Sequence, residues 1–140
     1  MLDCLILGDS IAVGTHQVKQ EWVAYAKGGI NSWQYNKDYV VPRKHDFGAE
    51  VVIISLGSND HKGVKTYNEL YKLRERVKAQ RVYWVLPNPA LFPKQADDVN
   101  LIAVSFGDFV IKTTRYQADQ VHPSWAGYKQ IAKDAEWQVM

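Results

Sequence analysis

Five short apolar segments, separated by helical patterns, constrain this chain more than any other feature. Several segments are apolar at successive positions, as expected of parallel strands covered by helices on both faces. Alternation of such strands with helices predicts an α/β sandwich around a parallel sheet of about five strands. The predicted strands are LDCLILG (2–8), WVAYAKG (22–28), VVIISLG (51–57), RVYWVLP (81–87) and DFVIKT (108–113).

The segments between the predicted strands carry helical spacing. Apolar residues recur along one stripe in 63–80, in 96–106 and in 124–138, which predicts three amphipathic helices. In the last of these, Trp125 falls on the predicted buried stripe, and Ser124 is a candidate helix cap. A short first helix is predicted over 11–21. The pattern of 30–46 favours neither a helix nor a strand.

Length and composition are those of one ordinary globular domain over residues 1–140. The chain is 46% hydrophobic and 23% charged, with a formal net charge of +2. Scattered lysines and arginines favour no nucleic-acid partner, and no apolar run reaches the ~18–20 residues of a membrane span. No signal peptide is recognisable, so we expect a cytoplasmic protein, with an extracellular or virion-associated role still open. The single Cys4 excludes an internal disulfide and is expected to be a buried strand thiol.

Small or hydrogen-bonding residues follow four of the five predicted strands. In parallel sheets ligands bind outside the carboxyl ends of the strands, so these residues are expected to converge on one rim. They are Gly8-Asp9-Ser10 after the first strand, Gly28-Gly29 after the second, Gly57-Ser58-Asn59-Asp60 after the third, and Asp119 to His122 after the fifth. This convergence predicts a site at that rim.

The residue types at this rim fit acyl transfer. A serine hydroxyl needs an adjacent base to become a nucleophile, and an imidazole is suited to that task near neutral pH. Asp119 lies three residues before His122 and is a candidate to fix its orientation. The backbone amide of Ser10, a glycine amide near residue 29 and the Asn59 side chain are candidate donors to a developing oxyanion.

Each of these pieces also has a structural interpretation. Gly8-Asp9-Ser10 is compatible with a turn and a helix cap, and Asn59-Asp60 with an Asx turn. The Gly28-Gly29 pair is explained as well by a positive φ angle. The combination of all the pieces, each at the appropriate strand end, favours a catalytic site.

Three blocks of the sequence resemble the SGNH hydrolases, also called GDSL esterases or lipases. GDSI (8–11) is similar to the first block of that family, GSND (57–60) to the third, and DQVHPSWAGY (119–128) to the last. The resemblance spans residues 3 to about 132. It implies a three-layer, flavodoxin-like sandwich of strand order 2-1-3-4-5. It further implies a Ser10 nucleophile, a His122 base oriented by Asp119, a structural Asp60, and neither metal nor cofactor.

The second block of the family is less clear in this chain. KGGINSW (27–33) offers two glycines, of which Gly29 is the preferred oxyanion donor, beside the amides of Ser10 and Asn59. Gly28 remains an alternative, and so does Ser32 in the place of a glycine.

The short loops expected of a minimal member favour a small acyl group, such as acetyl on a carbohydrate, as substrate. Residues expected near the rim and able to contact a sugar are Trp33, Tyr35, His61, Asn88, Phe92 and Trp125. The expected partner is therefore a small-molecule or glycan ester, and the oligomeric state is left open. A glycan-binding domain without catalysis, and use of the same site by a thioesterase, lysophospholipase or acyltransferase, are the alternatives.

Overall fold

The computed structural model describes residues 2–139, and it describes side chains as far as residue 136. Its centre is a sheet of five strands in which all neighbours are parallel. The strands are β1 (Leu2–Gly8), β2 (Val23–Ala26), β3 (Ala49–Ser55), β4 (Arg81–Val85) and β5 (Phe109–Ile111). Their order is β2-β1-β3-β4-β5, which confirms the order implied by the family resemblance.

Helices cover both faces of this sheet. Within the described residues they are α1 (Ser10–Val18), α2 (Ser32–Tyr35), α3 (Thr66–Glu75), α4 (Pro93–Phe106) and α5 (Trp125–Val139), with a π-helical turn (Asn36–Val40) directly after α2.

Side chains of the strands alternate between two apolar layers. Leu5 and Leu7 of β1 belong to one cluster, together with residues of α3 and α4. Cys4 and Ile6 belong to the other, together with residues of α1 and α5. Successive strand residues point to opposite faces, so a strand buried on both faces is apolar throughout. The three-layer sandwich is thereby confirmed, and Cys4 is buried as expected.

Several predicted element boundaries are wrong. Helix α4 begins at Pro93 and not at residue 96, because a proline at the first helical position has the required φ and gives up no helical hydrogen bond. Helix α3 spans Thr66–Glu75 and not 63–80, since residues 61–64 form a turn closed by the Val64 amide on the His61 carbonyl.

The segment that the sequence left undecided contains α2. Asn31 caps this short helix by accepting from the Gln34 amide, while the Gln34 side chain accepts from the Asn31 amide. This reciprocal capping box stabilises a helix that contains aromatic residues with weak helical preference.

The prediction that Trp125 lies on a buried stripe is also wrong. Trp125 is 56% exposed, whereas Tyr128, Ile131 and Ala135 of the same helix are buried. Helix α5 begins at Trp125, and its contact with the core begins only one turn later, at Tyr128.

A glycine in α1, Gly14, allows α1 and α5 to approach closely. A Cβ added to Gly14 would lie 2.2 Å from Cζ of Tyr128, and the Tyr128 ring is itself buried. An atom that close must displace the ring or separate the helices. Gly14 therefore sets the spacing between α1, which carries Ser10, and α5, which follows His122.

We predict that Gly14→Ala lowers the free energy of unfolding by roughly 1–2 kcal/mol, because overpacking exceeds the ~1 kcal/mol gained when alanine replaces glycine inside a helix. In a Tyr128→Leu background the same substitution should instead raise stability, because the clashing ring atoms are gone. Urea unfolding of the four proteins forms a double-mutant cycle that measures the coupling. Equal effects of Gly14→Ala in both backgrounds would contradict a direct contact.

Candidate active site

The turn between β1 and α1 presents Ser10 at the carboxyl edge of the sheet. Gly8 has a φ of +140°, and a Cβ at this position would lie 1.9 Å from the Ser55 carbonyl oxygen of β3. Only glycine fits there. The Asp9 amide donates to that same carbonyl oxygen over 3.0 Å. The chain is thus held against β3 immediately before the serine.

Asp9 anchors the first turn of α1 from within the core. Its side chain is fully buried, and Oδ1 accepts from the Ile11 amide at 3.0 Å and from Ser55 Oγ at 3.1 Å. Oδ2 has no hydrogen-bond partner among the described residues. Burial raises the pKa of Asp9 to about 7, and the hydrogen bonds from Ile11 and Ser55 offset that rise only in part. Asp9 is consequently an N-cap that carries a proton under mildly acidic conditions.

Ser10, His122 and Asp119 form a continuous hydrogen-bonded chain. Ser10 Oγ lies 2.8 Å from His122 Nε2, and His122 Nδ1 lies 2.7 Å from Asp119 Oδ2. An ionised carboxylate only accepts hydrogen bonds, so Nδ1 must be the protonated nitrogen. In the neutral imidazole Nε2 then accepts from the Ser10 hydroxyl. This is the arrangement required for the imidazole to remove the hydroxyl proton.

Asp119 lies at the surface and remains ionised. The hydrogen bond from His122 lowers the pKa of Asp119 to about 2, helped by the backbone amides of His122 and Val121. Both amides donate to Oδ1, at 3.0 and 2.9 Å. The carboxylate thus fixes both the imidazole ring and the backbone that carries it.

The loop that carries His122 is braced at both ends. The Gln117 amide donates to the His122 carbonyl, and the Ser124 amide donates to the Arg115 carbonyl, both over 2.8 Å. Ser124 also caps α5, since its Oγ accepts from the Gly127 amide, as predicted from the sequence. Gln120 has a φ of +60°, an unusual conformation for a residue other than glycine.

Asn88, which the sequence predicts to contact substrate, makes two hydrogen bonds at the end of β4 and keeps a second N–H for another acceptor. Its amide Nδ2 donates to the Gln120 carbonyl at 2.9 Å, and its Oδ1 accepts from the Ala90 amide at 3.1 Å. Asn88 thereby connects the end of β4 to the loop that carries His122. No local sequence pattern indicates this role, because the contact joins residues 32 positions apart.

Asn59 and Asp60 organise the segment after β2. Asn59 Nδ2 donates one hydrogen bond to the Ile30 carbonyl at 3.1 Å, which leaves the second N–H of that amide for another acceptor. Asp60 is buried, and its two oxygens accept from the Ser32 amide and from Thr66 Oγ1. These contacts agree with the structural role implied for Asp60.

Hydrogen bonds in residues 27–32 reduce the three candidates for a second oxyanion donor, which are Gly28, Gly29 and Ser32. The Ser32 amide is already bound to Asp60, so it is not free to serve. Lys27 to Ile30 form a turn in which the Ile30 amide bonds to the Lys27 carbonyl, and Gly29 has a φ of +77°. A Cβ on Gly28 would lie 3.8 Å from Cβ of Ser10, whereas one on Gly29 would meet nothing within 4 Å. Gly28 lies beside the serine, and Gly29 stays the predicted donor with Gly28 as its alternative.

Two of the remaining rim residues line a groove beside this site. The groove has a volume of about 480 Å³. Two of its lining residues, Asn31 and His61, lie two positions after Gly29 and Asn59 in the chain. Trp33 is 51% exposed, and His61 is exposed as well. The residues lining it include Asn31, Trp33, Gln34, His61, Lys65 and Glu69. An exposed indole among amide, imidazole and charged groups is suited to a polar ring-shaped ligand.

The other aromatic candidates differ in their environment. Tyr35 is fully buried and donates to the Tyr25 carbonyl at 2.7 Å, so the expectation that it lies on the rim is wrong. Phe92 is half-buried at the start of α4. Trp125 is the exposed candidate on the side of the site that carries His122.

Residues 2–139 contain no group of three or more His, Cys, Asp or Glu side chains arranged to hold a metal ion. No helix in that range combines the length and the apolar character needed to cross a membrane.

By sequence, no protein-family profile and no curated protein matches the chain. By structure, a GDSL-like lipase from Bacteroides thetaiotaomicron VPI-5482 aligns with a TM-score of 0.69 at 13% identity, over 98% of this chain and 87% of that one. The C-terminal catalytic domain of Streptococcus pneumoniae peptidoglycan O-acetyltransferase A, with a methylsulfonyl adduct, gives 0.65 at 16% identity, over 98% and 93%. A carbohydrate esterase family 3 structure from Talaromyces cellulolyticus gives 0.55 at 15% identity, over 99% and 98%.

These likenesses define the class of fold. The chain has the α/β/α fold of GDSL-type lipases, acyltransferase domains and carbohydrate esterases, in agreement with the resemblance of its sequence blocks to the SGNH hydrolases. At identities of 13–16% the fold is shared, while the reaction has to be argued from the site itself.

We predict that Asp9 makes the protein less stable as the pH rises. Its folded pKa lies above the ordinary value, so the native state binds the proton more tightly, and stability is lost between about pH 4 and pH 7. Asp9→Asn keeps an acceptor for Ile11 and Ser55 but cannot ionise. Relative to this variant, the wild type should lose roughly 2–4 kcal/mol between pH 5 and pH 8.

Urea unfolding at several pH values measures this difference. The exposed Asp3→Asn is the matched control and should follow the wild type at every pH. Parallel stability curves for Asp9→Asn and the wild type would show that Asp9 does not titrate in this range.

Proposed function

We propose that this chain is a serine ester hydrolase that removes a small acyl group, such as acetyl, from a carbohydrate. The observation that carries the proposal is the hydrogen-bonded chain from Ser10 through His122 to Asp119. It lies at the carboxyl edge of a parallel sheet, where such folds bind ligands. The fold, shared with esterases and acyltransferase domains, supports the same reaction class.

The geometry fits a two-step reaction. Ser10 Oγ attacks the ester carbonyl carbon while His122 Nε2 takes the hydroxyl proton, and Asp119 stabilises the imidazolium that results. Collapse of the tetrahedral intermediate breaks the ester bond, and the imidazolium returns the proton to the departing alcohol. Water then attacks the acyl-serine with the same base, which releases the acid and regenerates the hydroxyl.

Three donors around the serine are suited to hold the oxyanion. The Ser10 amide is the first of α1 and has no acceptor within that helix. The free N–H of Asn59 and the amide of Gly29, or of Gly28, complete the set. The amino end of a nine-residue helix adds favourable potential for negative charge at the same point.

The shape and exposure of the site favour small acyl groups and hydrolysis. The side chains of His122 and Asp119 are 36% and 46% exposed, so water has direct access to the base. The groove of about 480 Å³ beside Asn59 can accept a sugar ring against Trp33, with Asn31, Gln34 and His61 as polar partners. Aromatic faces and hydrogen-bonding side chains together are typical of polar ring recognition.

Removal of the nucleophile tests the proposal directly. Wild-type protein should release acetate from acetylated sugars and from a chromogenic acetate ester, and Ser10→Ala should lower kcat by about 10⁴-fold or more. A serine-reactive organophosphonate should add its mass to the peptide that contains Ser10. Ser58→Ala, at a neighbouring strand end, serves as the control and should keep its activity. Turnover that survives in Ser10→Ala, or its absence in the wild type, would contradict the proposal.

A separate prediction concerns Asn59. Asn59→Ala removes a donor to the oxyanion and should lower kcat by about 10²–10³-fold, with a much smaller change in KM. Asn59→Asp retains the shape of the side chain without its N–H groups and should be at least as impaired. Steady-state kinetics on the chromogenic ester distinguish the two parameters. A raised KM with unchanged kcat in both variants would instead indicate a role in ground-state binding.

A further inference from the structure

A second cavity lies on the other side of the loop that carries His122. It has a volume of about 510 Å³ and lies between the segment after β5 and the outer side of α5. Its lining consists of Thr114, Arg115, Ala126, Lys129, Gln130 and Lys133, and we call it the basic cleft. Half of these residues carry a positive charge, and none carries a negative charge.

The positive charges of the basic cleft are not neutralised within the described residues. The ion pairs found there do not include Arg115, Lys129 or Lys133. Of the acids close by in the chain, Asp119 binds His122, Glu136 binds Lys19 at 3.0 Å, and the exposed Asp134 is in none of the ion pairs among the described residues. Like charges kept close together without counter-charges repel each other, so their convergence favours an anionic ligand.

The basic cleft is rigidly connected to the catalytic loop. The Arg115 carbonyl accepts from both the amide and the Oγ of Ser124, two residues after His122. A Cβ on Gly127 would lie 2.3 Å from that carbonyl oxygen. The glycine at this position therefore lets α5 pack against the Arg115 backbone more closely than a residue with a side chain would. A ligand held in the basic cleft is therefore held in a fixed position relative to His122.

An exposed aromatic ring lies next to these charges. Lys129 Nζ is 5.7 Å from the centre of the Trp125 ring, and Trp125 is the first residue of α5. Aromatic faces stack on sugar rings, while guanidinium and ammonium groups bind carboxylates or phosphates. Trp125 with the basic cleft thus combines the two kinds of group that an acidic sugar needs.

We propose that the basic cleft binds the acidic groups of an anionic glycan whose acyl ester is presented to Ser10. This inference rests on the proposed esterase function and specifies its substrate class. Arg115 is suited to a two-point contact with one carboxylate or phosphate of the glycan. Lys129 and Lys133 are suited to the next acidic group along the glycan chain. Nucleic acid is a poorer match, since a net charge of +2 provides no extended basic surface.

Binding is tested without turnover in the Ser10→Ala protein. Titration with polygalacturonate, which carries carboxylates, or with a phosphomannan, which carries phosphates, should give saturable binding, and the tighter of the two identifies the acidic group. Neutral dextran should bind at least about tenfold more weakly. Binding should weaken severalfold between about 0.05 and 0.5 M salt, because salt screens exposed charges. Equal binding of dextran, salt-independent binding, or tighter binding of duplex DNA would overturn the proposal.

Charge reversal locates the site. Lys129→Glu combined with Lys133→Glu should weaken polyanion binding about tenfold, whereas the control pair Lys44→Glu and Lys78→Glu, equally exposed and outside the cleft, should not. Thermal unfolding checks that each protein is folded. An equal loss of polyanion binding in both double variants would show a general charge effect and overturn the proposed binding site in the basic cleft.

Turnover measurements then distinguish a failure of the basic-cleft proposal from a failure of the proposed esterase function. Wild-type protein should deacetylate acetylated polygalacturonate with a kcat/KM about tenfold above that for acetylated dextran, and the cleft pair should lose that preference. Polyanion binding without any ester turnover would refute the esterase while leaving the cleft intact. Turnover without preference for the acidic polymer would refute the proposed glycan binding by the basic cleft and leave the proposed esterase function intact.

Discussion

The close approach of β1 and β3 at their carboxyl ends is the constraint on which the rest of the site depends. Gly8 lies so near the Ser55 carbonyl that no side chain fits between the strands. The approach places the Asp9 carboxyl in the core, where it accepts from Ser55 and from the first turn of α1. Ser10 follows at once and is the first residue of the turn with access to solvent. A backbone contact thereby fixes the position of the Ser10 side chain, the nucleophile of the proposed reaction.

His122 reaches Ser10 from a separate loop and is held by different means. His122 belongs to a surface loop, and its position depends on hydrogen bonds to the Asn88 side chain after β4, to the Arg115 carbonyl after β5, and through Ser124 to α5. Gly14 permits α5 to lie close to α1, which completes the path from the loop back to the serine. One half of the site is thus positioned by the sheet, and the other half by backbone and side-chain hydrogen bonds at the edge of the sheet and by the packing of α5.

The sequence was sufficient for the parts of the structure that depend on local pattern. Strands buried on both faces are apolar throughout, so all five were recognisable, and the blocks around Ser10, Asn59 and His122 lie at the rim as expected. Contacts between distant segments were not recognisable. The bond from Asn88 to the Gln120 carbonyl joins segments far apart in the chain, and Trp125 matched a buried spacing but lies one turn before the packed part of its helix. Periodicity indicates which face of a helix is apolar, but not where along the helix the neighbouring element ends.

Two aspartates beside the same serine show how the fold assigns different chemistry to one residue type. Asp9 is fully buried, with one oxygen unpartnered among the described residues, and burial raises its pKa to about 7, whereas the hydrogen bond from His122 lowers the pKa of Asp119 to about 2. Burial thus disfavours a negative charge at Asp9, directly before Ser10. Asp119 keeps its charge next to the imidazole that becomes cationic in the proposed reaction. For that reaction, negative charge is favoured beside His122 and disfavoured behind Ser10, a separation that follows from burial and hydrogen bonding alone.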